Sequence, residues 1–240
     1  MLVERPPGLA DEVADGRRGL VGPEVFVPLA EKHGLIDALG RWVVEEATRQ
    51  AGQWREQGLP LPVAINLAPS QLRQPEALEH LCACLQRHGV PPAHLTCEVT
   101  ESVALADSAA TQAAFARLRA AGVQVSIDDV GTGPSSLAAL RPLPLAELKI
   151  DRAFVAELET SREARSVAAA VIRMAHRLRL RVVAEGVETE AQRDWLVEEG
   201  CDELQGWLLA KPMAPHQMAA WALGDQGRGA GAPKQDPARG

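Results

Sequence analysis

Short β-branched and aliphatic runs alternate with longer amphipathic stretches along most of this chain, and each run carries a polar residue within it or at its carboxyl end. Six runs are legible, at 63–67, 95–99, 123–127, 147–150, 181–184 and 203–207, each bounded by Gly, Pro or charge. Between them lie stretches of helical periodicity at 39–57, 75–88, 108–121, 161–180 and 190–199. Within 161–180, Val167, Val171, Met174, Ala175 and Leu178 recur at three- and four-residue steps, while Arg165, Arg173 and Arg177 take the other side. Gly122 follows the third stretch and suits a left-handed helix end.

Strand–helix alternation of this length fits a parallel α/β domain, either an open doubly wound sheet or a closed (β/α)8 barrel. The polar strand ends choose between them. Asn66, Glu98, Asp128, Lys149, Glu185 and Gln205 each belong to a different run. In a barrel these ends converge on one mouth, whereas an open sheet strings them along a line and leaves buried charges without partners. The expected fold class is therefore α/β, a TIM-like barrel. Only six of the eight strands are found. Residues 1–19, broken by Pro6, Pro7, Gly8 and Gly16 and by charge, are expected to be irregular, with the domain at 20–223 and a disordered Gly- and Pro-rich tail at 224–240.

With 46% apolar and 24% charged residues the chain buries a real core. A net charge of −7, with 5 Trp, 3 Phe and no Tyr, excludes a dedicated binder of nucleic-acid polymers. Cys82, Cys84, Cys97 and Cys201 are too scattered for a disulfide scaffold. No Cys-x-x-Cys or paired-His spacing is present, so inert thiols rather than a zinc site are expected. The start has no apolar signal core and no stretch spans a bilayer, which makes the cytoplasm the expected location. Gly131-Thr-Gly133 is followed by Ser136 where a dinucleotide turn needs Gly or Ala, and no Gly-x-Ser-x-Gly or Ser-His-Asp set is found. His176, among arginines, reads as a surface or packing residue.

Asn66, Glu98, Asp128, Asp129 and Glu185 are oxygen donors suited to hard divalent ions such as Mg2+ or Mn2+. A lone strand-end carboxylate is ordinarily a helix cap. Adjacent Asp128 and Asp129 repel unless cations stand between them, and a bridging carboxylate is what a two-metal phosphodiester site requires. Lys149 is placed to neutralise charge developing on a phosphoryl oxygen.

In order, Phe26-Val-Pro-Leu-Ala-Glu31, Asn66-Leu67, Glu98-Val-Thr-Glu101, Asp128-Asp129-Val-Gly-Thr-Gly133, Lys149-Ile-Asp151, Ala184-Glu-Gly-Val-Glu188 and Gln205-Gly-Trp207 resemble the EAL-domain family of cyclic di-GMP phosphodiesterases, over about residues 20–212. The resemblance implies a modified barrel that hydrolyses cyclic di-GMP to linear pGpG with Mg2+ or Mn2+. It implies that Asn66, Glu98 and Asp128 ligate a first metal, and that Asp128 bridges to a second held by Asp129 and Glu185. Lys149 then stands by the attacked phosphate and its water, with Asp151 beside it, so that Lys149, Glu185 and Asp151 are the catalytic groups. Glu101 anchors the loop after Asp129, which couples metal binding to dimerisation in this family, and Glu188 and Gln205 line the site.

Departures accompany the matches. The family's Glu-Ala-Leu, followed by Leu-Arg-Trp, belongs shortly before Gly19-Leu-Val21, where ungapped counting sets Gly8-Leu-Ala10. Glu12-Val-Ala14 echoes it too close to Gly19 and without Arg-Trp. Val130 and Pro134 replace an aromatic pair, and proline removes a backbone donor. The expectation is an EAL-type barrel lacking its first strands, truncated or degenerate, that binds cyclic di-GMP with impaired hydrolysis. The alternatives are an active phosphodiesterase and a non-catalytic module for a protein partner. A homodimer is in keeping with the family, and the strand at 63–67 should expose an edge that the N-terminal segment or a partner covers.

Overall fold

The computed structural model describes residues 13–15, 19–106, 109–130 and 143–225. An antiparallel ribbon, β1 (Val13–Asp15) with β2 (Gly19–Val21), precedes two helices, α1 (Pro23–Lys32) and α2 (Ile36–Glu56). The repeat then runs β3 (Val63–Asn66), α3 (Pro69–Arg73), α4 (Pro75–Arg87), β4 (Leu95–Thr100), α5 (Glu101–Ala104), α6 (Ala109–Ala120) and β5 (Gln124–Val130). It continues β6 (Glu147–Ile150), α7 (Arg152–Glu157), α8 (Arg162–Arg177), β7 (Arg181–Ala184), α9 (Glu190–Glu198), β8 (Glu203–Leu204) and α10 (Pro215–Asp225). Among the described residues no helix is long and apolar enough to cross a membrane.

All six runs read from the sequence form strands, in one parallel sheet of order β3-β4-β5-β6-β7-β8. The sheet is a half-barrel of the TIM type, with β3 and β8 as its edges among the described residues. The β1–β2 ribbon corrects the expectation of no strand before residue 20: Val13, Ala14 and Asp15 pair with Val21, Leu20 and Gly19, and three paired positions on each side need no long unbroken run. Helix α10 also runs to Asp225, past the expected tail boundary at 223.

Alternation along the strands explains the curl. Val63, Ile65, Leu95, Cys97, Val99, Val125, Ile127, Leu148, Ile150, Val182 and Ala184 face outward beneath the helices, each at most 3% exposed. The intervening positions are mostly polar: Asn66; Thr96, Glu98 and Thr100; Gln124, Ser126 and Asp128; Glu147 and Lys149; Arg181. Slipping one strand by a residue would exchange the two sets, at about 1.5–3 kcal/mol for each aliphatic side chain driven out of the core. Helix α8 buries Val171, Ile172 and Ala175 and leaves Arg165, Arg173 and Arg177 in solvent, as its periodicity requires. Gly122 ends α6 at φ 80°.

The inward polar positions form two layers. At the amino ends of the strands, Arg181 pairs with Glu147 Oε2 at 2.9 Å, with Gln124 Oε1 at 2.9 Å, and with Glu203. Glu147 is buried, which raises its proton affinity, and Arg181 opposes that rise. At the carboxyl ends lies the second layer, around Lys149.

Among the described residues the expected open edge is found, with β3 pairing only with β4. Beside it is an apolar groove of about 680 Å3, lined by Phe26 and Val27 of α1, Ile36, Leu39 and Val43 of α2, residues 64–67 and Pro215. Helix α2 buries Val44, Ala47, Ala51 and Trp54, and Trp54 Nε1 donates to Pro215 O at 3.3 Å. Helix α10 is thereby tied to α2.

The lower layer is a structural ion cluster, so Arg181→Ala should cost about 3–5 kcal/mol in a denaturant titration because it strands Glu147 without a cation. Adding Glu147→Gln to that variant should recover part of the loss; no recovery would mean that packing of the Arg181 stem, not its charge, carries the effect.

Candidate active site

Strands β3 to β7 bring polar side chains to one mouth at their carboxyl ends. Asn66, the last residue of β3, is in register with Glu98 of β4, and Asp128 of β5 with Thr100. Lys149 of β6 faces Val183 of β7 in register, and Glu185 follows β7 with its N–H donating to Ile150 O at 3.1 Å. Lys149 Nζ lies 2.8 Å from Glu98 Oε1 and 3.9 Å from Asp128 Oδ1, and is in direct contact with Glu185. Its side chain and that of Glu98 are each 4% exposed, while Asp128 and Glu185 rise to 14% and 18% toward solvent.

One ammonium thus faces three carboxylates. Burial alone would lower the proton affinity of Lys149, but Glu98, Glu185 and Asp128 more than offset it and hold the ammonium charged. Glu185 is pushed upward by burial, with Asp128 and Glu98 adding to the effect and Lys149 opposing it. Asp129 is raised to about 6, by burial first and then by Asp128 and Asp151.

Consecutive strand residues ordinarily point to opposite faces. Asp128 and Asp129 escape that rule because the β5–β6 register breaks between Ile127 and Val130, and Asp129 adopts φ 59°. The bulge re-aims the second carboxylate toward the mouth, a use of bulges common beside functional sites, and Asp tolerates this left-handed conformation better than most residues. Asp129 N–H donates to Asp128 Oδ1 at 3.0 Å.

The remaining expected residues divide. Asp151 caps α7, its Oδ1 accepting from Ala153 N–H at 2.9 Å, and also interacts with Asp129. Glu101 is buried at the start of α5, and Asn66 is exposed at the open edge. The Glu188 residue is exposed, and its backbone N–H is held by Gln192 Oε1 at 2.8 Å. Gln205 O accepts from Val187 N–H at 2.9 Å, and a Cβ on Gly206 would lie 2.2 Å from Val187 N, so only glycine permits the loops after β7 and β8 to touch. Val130 is fully buried, whereas Glu12, Gly131-Thr-Gly133 and Pro134 lie outside the described residues. Sequence reasoning passed over Gln192, whose carboxamide fastens the segment after Glu185; the Thr189-x-x-Gln192 capping box was its visible signal.

The donors fit a hard divalent cation. Three carboxylates meet around one ammonium, a fourth is set beside them by the bulge, and Asn66 adds an amide in register with Glu98. Their formal negative charge exceeds what Lys149 neutralises, and oxygen donors of this kind suit Mg2+ or Mn2+.

Fold and mouth define a parallel α/β half-barrel with an acidic, lysine-centred site at the carboxyl ends of its strands. The model of the EAL domain matches residues 12–212, and the chain belongs to the EAL-domain family of cyclic di-GMP phosphodiesterases. It is 44% identical over 205 residues to the bifunctional diguanylate cyclase/cyclic di-GMP phosphodiesterase MucR of Pseudomonas aeruginosa, covering 85% of this chain and 30% of that protein. It is 38% identical to the signaling protein YkoW of Bacillus subtilis, covering 84% and 25%. Among solved structures it resembles the PaMucR phosphodiesterase in complex with c-di-GMP, with a TM-score of 0.82, 43% identity and coverage of 86% and 84%. The EAL domain of Mycobacterium smegmatis DcpA follows with a TM-score of 0.75, 38% identity and coverage of 79% and 86%. The chain spans between a quarter and a third of the length of these curated relatives. Phosphodiesterases of the EAL family depend on divalent metal in general.

If Lys149 is the cation that holds this mouth together, Lys149→Met should lower stability in metal-free buffer by about 3–5 kcal/mol, the cost of stranding buried charge. Mn2+ should then raise the melting temperature of the variant more than that of the parent. Equal metal responses in thermal denaturation would show that the carboxylates do not share the ammonium's position with ions.

Proposed function

We propose that this chain binds cyclic di-GMP together with Mg2+ or Mn2+ at the mouth, and that the 240 residues by themselves hydrolyse it to linear pGpG only slowly. The observation that carries the reading is the Lys149 ammonium enclosed by Glu98, Asp128 and Glu185 at the carboxyl ends of the strands. A relative 43% identical has been solved in complex with c-di-GMP, which supports the ligand.

Bound divalent ions supply an activated water and neutralise charge on the phosphodiester. In this reading Asn66, Glu98 and Asp128 would hold one ion, and Asp129 and Glu185, with Asp128 between, would hold a second. Lys149 offers a proton-bearing donor to the phosphoryl oxygen on which charge develops, and Asp151 orients Asp129 beside it. Glu101 is assigned to the loop after Asp129, and Gln205 and Glu188 to the rim.

Slow turnover follows from the open edge. Among the described residues no strand beyond β3 brings a carboxylate to the Asn66 side, which leaves the nearby ion under-neutralised. A missing charge-assisted ligand is worth about 1.5–3 kcal/mol, and losing a carboxylate and an arginine together corresponds to roughly two to four decades in rate. The second reading, an active phosphodiesterase, is favoured by 44% identity to a relative that carries that activity in its name.

Product chromatography with Mn2+, beside calorimetric binding of cyclic di-GMP, separates the readings. Binding is expected, abolished by Asp128→Asn, with turnover rising by about two to four decades when a hairpin bearing Glu-Ala-Leu-Leu-Arg-Trp is fused ahead of Gly19. Full turnover without the graft favours the active enzyme. Neither binding nor turnover would favour a module for a protein partner.

A further inference from the structure

Away from the mouth, on the outer layer of the half-barrel, α2 packs against α4. Glu45 of α2 and His80 and Cys84 of α4 offer one ligand atom each, all within 4.8 Å of one another. His80 and Cys84 are four residues apart and share a helix face. Cys84 is fully buried, with its Sγ 3.0 Å from Glu45 Oε2. A tetrahedral zinc ion, with bonds of about 2.0–2.3 Å, separates its ligand atoms by roughly 3.3–3.6 Å. The observed spacing is close to this, so an ion can enter with side-chain adjustment alone.

A supporting shell is already built. His80 Nε2 lies 3.2 Å from Arg41 O and 3.5 Å from Cys84 Sγ, with Nδ1 3.9 Å from the same sulfur; the tautomer protonated at Nε2 donates to the carbonyl and keeps a lone pair on Nδ1 for an ion. His88 Nε2 is 2.8 Å from Glu45 Oε1 and fixes the carboxylate from behind. Ligands of bound metals are ordinarily oriented by such outer partners. Arg87 Nη1 stands 2.6 Å from Glu45 Oε2, on a side chain 58% exposed, and can swing into solvent when an ion takes its place.

We propose that Glu45, His80 and Cys84 form a site for a borderline-soft divalent cation, Zn2+, that fastens α2 to α4. Its sulfur and nitrogen donors set it apart from the all-oxygen mouth, which suits hard ions. On binding, the Cys84 thiol proton now donated to Glu45 passes to solvent, and the thiolate, carboxylate and imidazole bond the ion. The sequence concealed the site because Glu45 lies 39 positions from Cys84 on another helix, outside any local ligand spacing.

Cobalt tests this with a signal that the mouth cannot produce, a sulfur-to-metal charge-transfer band in the near ultraviolet. The chain, stripped with chelator and saturated with Mg2+, is titrated with Co2+. The band should saturate at one ion per chain, vanish on addition of Zn2+, persist in Cys82→Ser and disappear in Cys84→Ser. His88→Ala should weaken Co2+ binding by about 10–100-fold while keeping the band. His80→Ala, at a half-buried position, repeats the test if Cys84→Ser fails to fold as judged by circular dichroism. No band in the parent chain, or one that survives Cys84→Ser (or His80→Ala where Cys84→Ser does not fold), overturns the proposal.

Discussion

A buried ammonium among three carboxylates is the arrangement on which the rest of this mouth depends. Lys149 and Glu98 are both almost wholly enclosed, where an unpaired charge is costly, and each has the other at 2.8 Å. Their pairing ties β4 to β6 across β5, while the contact with Glu185 extends the tie to β7. Removing either partner would therefore affect strand positions as well as chemistry. The same cluster remains short of positive charge, and that shortage is what suits its oxygen donors to a divalent cation.

The inner face shows a division of labour along the strand axis. The lower layer sets Arg181, itself half in solvent, against Glu147, Glu203 and Gln124, so its buried acid has a cation beside it. The upper layer is left with excess acid beside solvent. This matches the general rule that barrel enzymes place chemistry at the carboxyl ends of strands and stability at the amino ends. The β5 bulge joins the two demands: the strand stays paired through Ile127 and again at Val130, while Asp128 and Asp129 between them are both turned to the mouth.

Much of the fold was legible because burial imposes period. The outward set of β4, Leu95, Cys97 and Val99, and the helical stripe of α8 were readable one residue at a time, and each predicted its own element correctly. The short helices α3, α5 and α7 were not, since four to six residues carry too little period to be distinguished from a loop. Of the site, Glu98, Asp128, Lys149 and Glu185 were recoverable because charge at the ends of apolar runs is costly without partners. Asp151 shows the limit of that argument, being both a helix cap and a neighbour of Asp129.

By itself the sequence determined the parallel strand–helix repeat, the outward core and the identity of the acidic groups, since these follow from residue order and the cost of burying charge. Tertiary structure alone decided which charges meet. That Lys149 would serve Glu98 and Glu185 together, that a left-handed Asp129 would turn two neighbouring acids to one side, and that Glu45 would reach Cys84 all depend on strand register, a bulge and helix packing. Such distances are set by the summed packing of the whole sheet and its helices, and no local stretch of residues encodes them.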